Sequence, residues 1–373
     1  MRIAILGTRG IPASYGGFET FAQELATRLV ARGHDVTVYG RSHYVDPHLQ
    51  SYRGVRVVVL PTIRYKYFDT VTHTFLSTLH ATGRAFDVAL YCNAANAVFC
   101  GLPRLRGTAV VLNVDGVERR RRKWNWLGRA WYLFSERLAT WLPHAVVTDA
   151  RTISQYYRSR YGAETSFIPY GAGLAPTDSR ATLDRLGLAP KEYFLYVSRF
   201  EPENNARAVI EGYQAARVDR RLVMVGDAPY AAAYISALKR LAGPRVLFTG
   251  FLFGEPYREL QTHAFAYIHG TEVGGTHPAL VEAMGVGGCA VVNDVEENRE
   301  VAGDVAVYFK ADEPATLATA LERLERDEGL RADLSQRARA RAAERFSWDR
   351  IADDYERLFG LVSHHSRQAE ATR

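Results

Sequence analysis

The 373-residue chain has only three cysteines, Cys92, Cys100 and Cys289. An odd count without metal-ligand spacing argues against a disulfide framework or a zinc site and for a reducing compartment. No apolar run approaches the roughly 20 residues needed to span a bilayer. The opening MRIAILGTRG enters a strand and glycine turn directly, so no signal peptide is expected. The loop after that strand lacks G-x-G-x-x-G, which speaks against a dinucleotide cofactor. Acidic charge is scarce in one half only: residues 1–172 hold 22 Lys and Arg against 11 Asp and Glu, whereas residues 173–373 hold 25 against 30. A basic half suits nucleic acid, an anionic membrane or a phosphorylated ligand. No docking module accompanies it, so no nucleic-acid partner is expected.

The chain is long enough for two domains of about 150–190 residues. Its centre is the stretch 265–301. A short strand over 264–268 runs into a glycine-rich turn, and Thr276 and Pro278 signal the start of a helix over 279–285. Amides at a helix start attract anions such as phosphate. Gly274 and Gly275 let a ligand approach the backbone. Glu282 lies one turn into the helix, where its carboxylate can accept from a ribose hydroxyl. The plain alternative is a strand-loop-helix unit whose glycines only make a turn.

The wording of this stretch decides between the two. It resembles the C-terminal nucleotide-sugar motif of retaining GT-B glycosyltransferases of family four, which reads E-x7-E with proline before the second Glu. Here Glu282 matches the second Glu, Gly274 occupies the position of the first, and Glu272 stands two residues too early. HG-x-x-VGGT-x-P-x-L-x-EAM is similar to a bacterial rhamnosyltransferase-like subgroup of polysaccharide assembly.

In the first half, strand, glycine loop, helix over 19–32 and a second strand over 35–39 make a βαβ opening. Gly16 and Gly17 in YGGFET resemble the glycine pair that lies across the cleft from the donor phosphates in this family, with Glu19 at the helix start. Further strands are expected over 55–60, 88–91, 109–114 and 145–148. Asp115, in DG-x-E-x-x-R-x-KW, ends a strand, where it either caps the turn or takes the proton of an acceptor hydroxyl. Asp149 ends the next strand and is a second candidate.

Arg119, Arg120, Arg121, Arg122 and Lys123 are five consecutive cations, followed by Trp124. Apolar residues then recur at Leu127, Trp131, Phe134, Leu138 and Trp141. That period favours core packing. With the cations it also suits docking on an anionic membrane or holding a lipid-linked diphosphate, and a solvated charge run is the remaining alternative.

In the second half, Arg199 sits between a strand (193–197) and a helix and can reach a donor diphosphate. The family's lysine five residues on is Asn204 here, within PENN. Strand-and-turn units ending at Gly226 and at Gly250–Phe251 resemble the base-binding wall. Residues 346–359 resemble the helix that crosses back to the N-terminal domain.

The resemblance implies an α/β GT-B fold: two Rossmann-like doubly wound domains facing each other across a cleft. The expected division is 1–172, a linker 173–190, a nucleotide-sugar domain 191–345, a closing helix 346–360 and a disordered polar tail 361–373. It implies a metal-independent hexosyltransferase without a cofactor, using a nucleotide sugar, here dTDP-rhamnose, as co-substrate with retention. Arg199 is expected to act in catalysis with Asp115 or Asp149. Gly16, Gly17, Arg199, Asn204, Gly226, Gly250, Phe251, Gly274, Gly275, Thr276 and Glu282 are expected to hold the donor. The acceptor is expected to be a polyprenyl-diphosphate-linked sugar at the cytoplasmic membrane face. A UDP- or GDP-hexose transferase, a sugar-nucleotide epimerase and a non-catalytic sugar-nucleotide-binding subunit are the alternatives.

Overall fold

The computed structural model describes residues 1–14, 16–65, 68–114, 116–120, 124–173, 175–228 and 231–371. The backbone separates into two compact units, Met1–Tyr170 with Trp348–Arg373, and Gly171–Ser347.

The first unit contains β1 (Arg2–Leu6), α1 (Gly17–Ala31), β2 (Asp35–Arg41), β3 (Ser51–Tyr52), β4 (Val55–Leu60), α2 (Asp69–Thr82), β5 (Val88–Cys92), α3 (Gly101–Arg104), β6 (Ala109–Val114), α4 (Trp126–Ala139), β7 (Ala145–Thr148), α5 (Arg151–Tyr161) and β8 (Ser166–Phe167). Its eight strands lie in the order β3-β4-β2-β1-β5-β6-β7-β8. All neighbours are parallel except β3 and β4. β1 and β5 are unbroken apolar runs because helices cover both faces of the sheet, and Ile3–Leu6 and Val88–Cys92 are buried throughout. Gly7 ends β1 at φ +87°, where a Cβ would lie 2.4 Å from the Cys92 carbonyl oxygen, so only glycine lets the loop pass.

The second unit runs α6 (Ala181–Leu186), β9 (Tyr193–Val197), α7 (Ala206–Ala215), β10 (Arg221–Val225), α8 (Ala232–Leu241), β11 (Val246–Gly250), α9 (Glu255–His263), β12 (Ala266–His269), α10 (Pro278–Gly285), β13 (Ala290–Asn293), α11 (Glu296–Ala302), β14 (Ala306–Phe309), α12 (Pro314–Arg326) and α13 (Glu328–Arg345). Its all-parallel sheet has the order β11-β10-β9-β12-β13-β14. The stretch expected as a linker is part of this unit. Leu183 of α6 is buried, and Glu259 on α9 accepts from the Thr182 N–H and the Ser179 hydroxyl, both at 2.6 Å. That carboxylate caps the start of α6 from about eighty residues away, which is why the sequence around Arg180 carries no cap of its own.

The last helix, α14 (Trp348–Ala371), packs on the first unit and takes up residues 361–371 of the expected disordered tail, whose last two residues lie outside the described ones. Trp348, Ile351, Tyr355, Phe359 and Val362 are buried at helical spacing, each stabilising the unit by about 2 kcal/mol. The pattern continues past residue 360, because the Ser366 hydroxyl donates to the Gly107 carbonyl at 3.2 Å.

One helix departs from its sequence pattern. On α4 the inward residues are Gly128, Tyr132, Ser135, Glu136 and Ala139, while Leu127 and Phe134 of the apolar stripe, with Trp141 just beyond the helix, are exposed. Trp131 and Leu138 are half-buried at the margin. The inward side suits small residues because α4 lies against the 3-10 turn Ala94–Phe99, and Trp124 folds over Gly128. Glu136 tolerates burial because Tyr156 and Tyr161 donate to it at 2.7 and 2.9 Å. Among the described residues no helix is long and apolar enough to cross a membrane.

Candidate active site

In the second unit the chain builds outward from β9 to β10 and β11, then returns to the other side of β9 with β12. Strand order therefore reverses between β9 and β12, and the C-terminal ends of strands at such a reversal are the usual ligand position in open parallel sheets. The loop with Arg199 and the loop 270–277 both start there.

The two loops are stitched together. The Glu272 N–H donates to the Glu203 carbonyl at 3.0 Å, and the Asn205 amide donates to the Gly270 carbonyl at 2.9 Å. From α11, the Asn298 amide donates to the Thr271 carbonyl at 2.8 Å and the Asn293 carbonyl at 2.9 Å. Gly270 permits the close approach, since a Cβ there would sit 2.8 Å from the Asn204 carbonyl oxygen.

Arg199 lies two residues past β9, its guanidinium about one-third exposed and 3.7 Å from Glu201. Its carbonyl accepts the Asn204 amide at 2.7 Å. Asn204, expected among the donor contacts, is buried, and its NH2 closes the loop that presents Arg199.

Glu282 stands one turn into α10. The Tyr257 hydroxyl on α9 donates to its Oε2 at 2.6 Å, and Gln261 donates to the Tyr257 oxygen at 2.8 Å and the Ala279 carbonyl at 3.2 Å. α10 starts at Pro278 behind His277, whose side chain makes no cap, and Thr276 is buried instead of standing at the cap. Gly274 has φ +147°, and a Cβ there would meet the His277 ring at 2.6 Å. A glutamate at 274 would need both that backbone conformation and the space of His277, which accounts for the departure from E-x7-E. His269, buried at the end of β12, packs against His277 with ring centroids 4.8 Å apart and the planes tilted by 49°. Burial pushes its imidazole down to about 3, so it is neutral near pH 7 and adds no charge to the loop.

Gly226 has φ +144° and its Cβ would lie 1.8 Å from the Ser198 carbonyl oxygen, so it braces the ends of β9 and β10. Gly250 accepts the Gly226 N–H at 2.9 Å and has open space at its Cα. Phe251 stacks on Phe253 at 5.7 Å.

In the first unit the order reverses between β1 and β5. Gly16 precedes α1 in an extended conformation, and its carbonyl accepts from the Glu19 and Thr20 N–H groups at 3.2 Å. Gly17 is the first residue of α1. Glu19 is buried and accepts the Arg9 N–H at 2.9 Å, tying the loop after β1 to the helix. After β5, Asn93 takes φ 77° and accepts the Ala95 N–H at 2.9 Å.

Asp149 has no exposed surface at the end of β7. Asp115, Arg121, Arg122 and Lys123 lie outside the described residues, and of Arg120 only the backbone, in the 3-10 turn Glu118–Arg120, is described. Arg119 turns inward, donating to Glu136 at 3.3 Å and to the Tyr156 hydroxyl at 2.8 Å. Trp124 packs on Tyr132 with centroids 5.2 Å apart. The sequence reading missed Asn205, Tyr257, Gln261, Asn293 and Asn298, for which the only local signal is that Asn205 is the last residue of PENN.

Solved structures share this architecture. Sucrose-phosphate synthase from Thermosynechococcus elongatus is 19% identical with a TM-score of 0.80, covering 100% of both chains. HepE from Anabaena, in complex with UDP and glucose, is 17% identical with a TM-score of 0.79, covering 97% of this chain and 100% of that one. WaaG, a glycosyltransferase involved in lipopolysaccharide biosynthesis, is 16% identical with a TM-score of 0.70, covering 95% and 99%. No curated protein sequence matches the chain. These likenesses define the fold as the two-domain, parallel-sheet α/β fold of GT-B glycosyltransferases. The profile "Glycosyl transferases group 1" matches residues 182–341 and "Glycosyltransferase Family 4" matches residues 15–173. The chain is a glycosyltransferase of the GT-B type.

Proposed function

We propose that this chain transfers a hexose from a nucleoside-diphosphate sugar, with retention of configuration and without a metal, to a lipid-linked or oligosaccharide acceptor at the cytoplasmic membrane face. The observation that carries the reading is the bonding of the loop that bears Arg199 to the 270–277 loop where strand order reverses between β9 and β12, with Glu282 on the helix that follows held by Tyr257. In this reading the bond between the sugar's C1 and the diphosphate oxygen breaks. Arg199 and the amides at the start of α10 stabilise the charge left on the diphosphate. Glu282 accepts from the pentose hydroxyl. The acceptor oxygen bonds to C1, and Asp115 takes its proton; Asp149, sealed at the end of β7, is less suited to that role.

The donor on this reading is dTDP-rhamnose, supported by the PENN and VGGT wording. A UDP-hexose is the second reading, favoured by the HepE structures with UDP and with UDP-glucose. A thermal-shift panel of nucleotides and sugar nucleotides separates them, because ligands stabilise the folded state by mass action. Stabilisation by dTDP and dTDP-rhamnose supports the first, stabilisation by UDP compounds the second. No response to any nucleotide, or turnover that survives in both Arg199→Ala and Glu282→Ala, overturns the proposed site.

A further inference from the structure

Helix α4 is amphipathic with its apolar side outward. Trp126 is 74% exposed, Phe134 54% and Trp141 64%, and Leu127 and Leu133 are exposed beside them. A soluble surface helix normally turns such residues inward, and a contiguous outward set marks a binding surface. The charges are sorted as well. The one acid on α4, Glu136, is buried under Tyr156 and Tyr161, whereas Arg129 and Arg137 are exposed among the aromatics. A groove of about 470 Å³ between α4 and α5 is lined by Ala130, Leu133, Phe134, Arg137, Arg160 and Tyr161, an apolar floor with two guanidiniums and, among the described residues, no carboxylate. Arg137 also lies over the Trp141 ring at 5.3 Å.

We infer that the outward face of α4, with the groove beside it, docks on an anionic phospholipid surface. Tryptophans some 20 Å apart along the helix fit the boundary between head groups and acyl chains, and the arginines fit the lipid phosphates. A second copy of this chain is disfavoured as occupant, because a symmetric contact through this face sets Arg129 and Arg137 against their own like charges. The inference adds a surface to the membrane-face part of the function proposed above. It does not depend on the nucleotide site.

The test is vesicle co-sedimentation of the full chain with phosphatidylcholine alone and with about one-third phosphatidylglycerol added. The expected result is binding that requires the anionic lipid and weakens with salt. The triple variant Trp126→Ser, Phe134→Ser, Trp141→Ser is expected to lose about tenfold or more in partitioning, with its melting temperature and nucleotide response unchanged. The double variant Arg137→Gln, Arg160→Gln is expected to lose the dependence on anionic lipid. Undiminished vesicle binding by the triple variant overturns the inference. So does a parent chain that ignores vesicles but self-associates in sedimentation velocity and becomes monomeric in the triple variant. A nucleotide response that fails while vesicle binding persists removes the proposed donor site and leaves this surface standing.

Discussion

Asn113 on β6 donates its side-chain amide to the Tyr355 hydroxyl on α14 at 2.6 Å, across 242 positions of chain. Both residues are fully buried, so the bond anchors the last helix to the first sheet. Tyr355→Phe leaves a buried amide without that acceptor and is expected to cost about 1–3 kcal/mol. Urea unfolding checks it, and a double variant with Asn113→Ala should cost less than the sum of the singles, because the pair acts as a unit.

Tyr257 holds one oxygen of Glu282 and is itself held by Gln261. Tyr257→Phe keeps the ring and removes the donor, so the carboxylate loses an orienting bond. The expected outcome is roughly three- to tenfold weaker binding of whichever nucleotide the chain recognises, about the worth of one hydrogen bond. Isothermal titration measures it. Unchanged affinity, with the fold intact, would count against a ligand role for Glu282.

Gly226 and Gly250 are both left-handed, but only Gly226 is hemmed in, its missing Cβ falling 1.8 Å from the Ser198 oxygen. Gly226→Ala is expected to cost about 3 kcal/mol or more and to shift the loop carrying Arg199, whereas Gly250→Ala should cost about 1 kcal/mol. Thermal melts of the two variants give the contrast.

Burial pushes the His73 imidazole down to about 4 and that of His269 to about 3. Both folded values lie below the unfolded value, so the unfolded chain binds more protons in acid. Stability is therefore full above about pH 6.5 and falls as pH drops toward 4, by about 2 kcal/mol per histidine at pH 5. Carboxylates such as Glu356, held low first by its hydrogen bond from His34, act in the same sense but only below about pH 4.5. Urea midpoints at pH 7 and 5 check the slope, and His269→Gln is expected to flatten it.

Local pattern and wording were enough for the alternating α/β architecture, because parallel strands buried on both faces leave apolar runs such as Ile3–Leu6 and Val88–Cys92 that no other element explains. The loops carrying Arg199 and Gly274–Glu282 were legible for the same reason: glycines, Pro278 and the strand-to-helix change are written side by side. What holds those loops was not legible. Asn298 reaches Thr271 across 27 positions and Tyr257 reaches Glu282 across 25, and an asparagine or tyrosine carries no mark of a distant partner.

The sequence by itself determined the alternating α/β pattern, the strand ends where the proposed site residues fall, and the position on α4 of an apolar stripe. Periodicity states that such a stripe lies on one side of a helix, not which side meets the body. Only the tertiary structure decided that Gly128 and Glu136 go inward and Trp126 and Phe134 outward. It likewise decided that α14 continues to Ala371 and that Glu259 caps α6. Each of those outcomes depends on groups brought together by folding, and neighbours in sequence do not encode them.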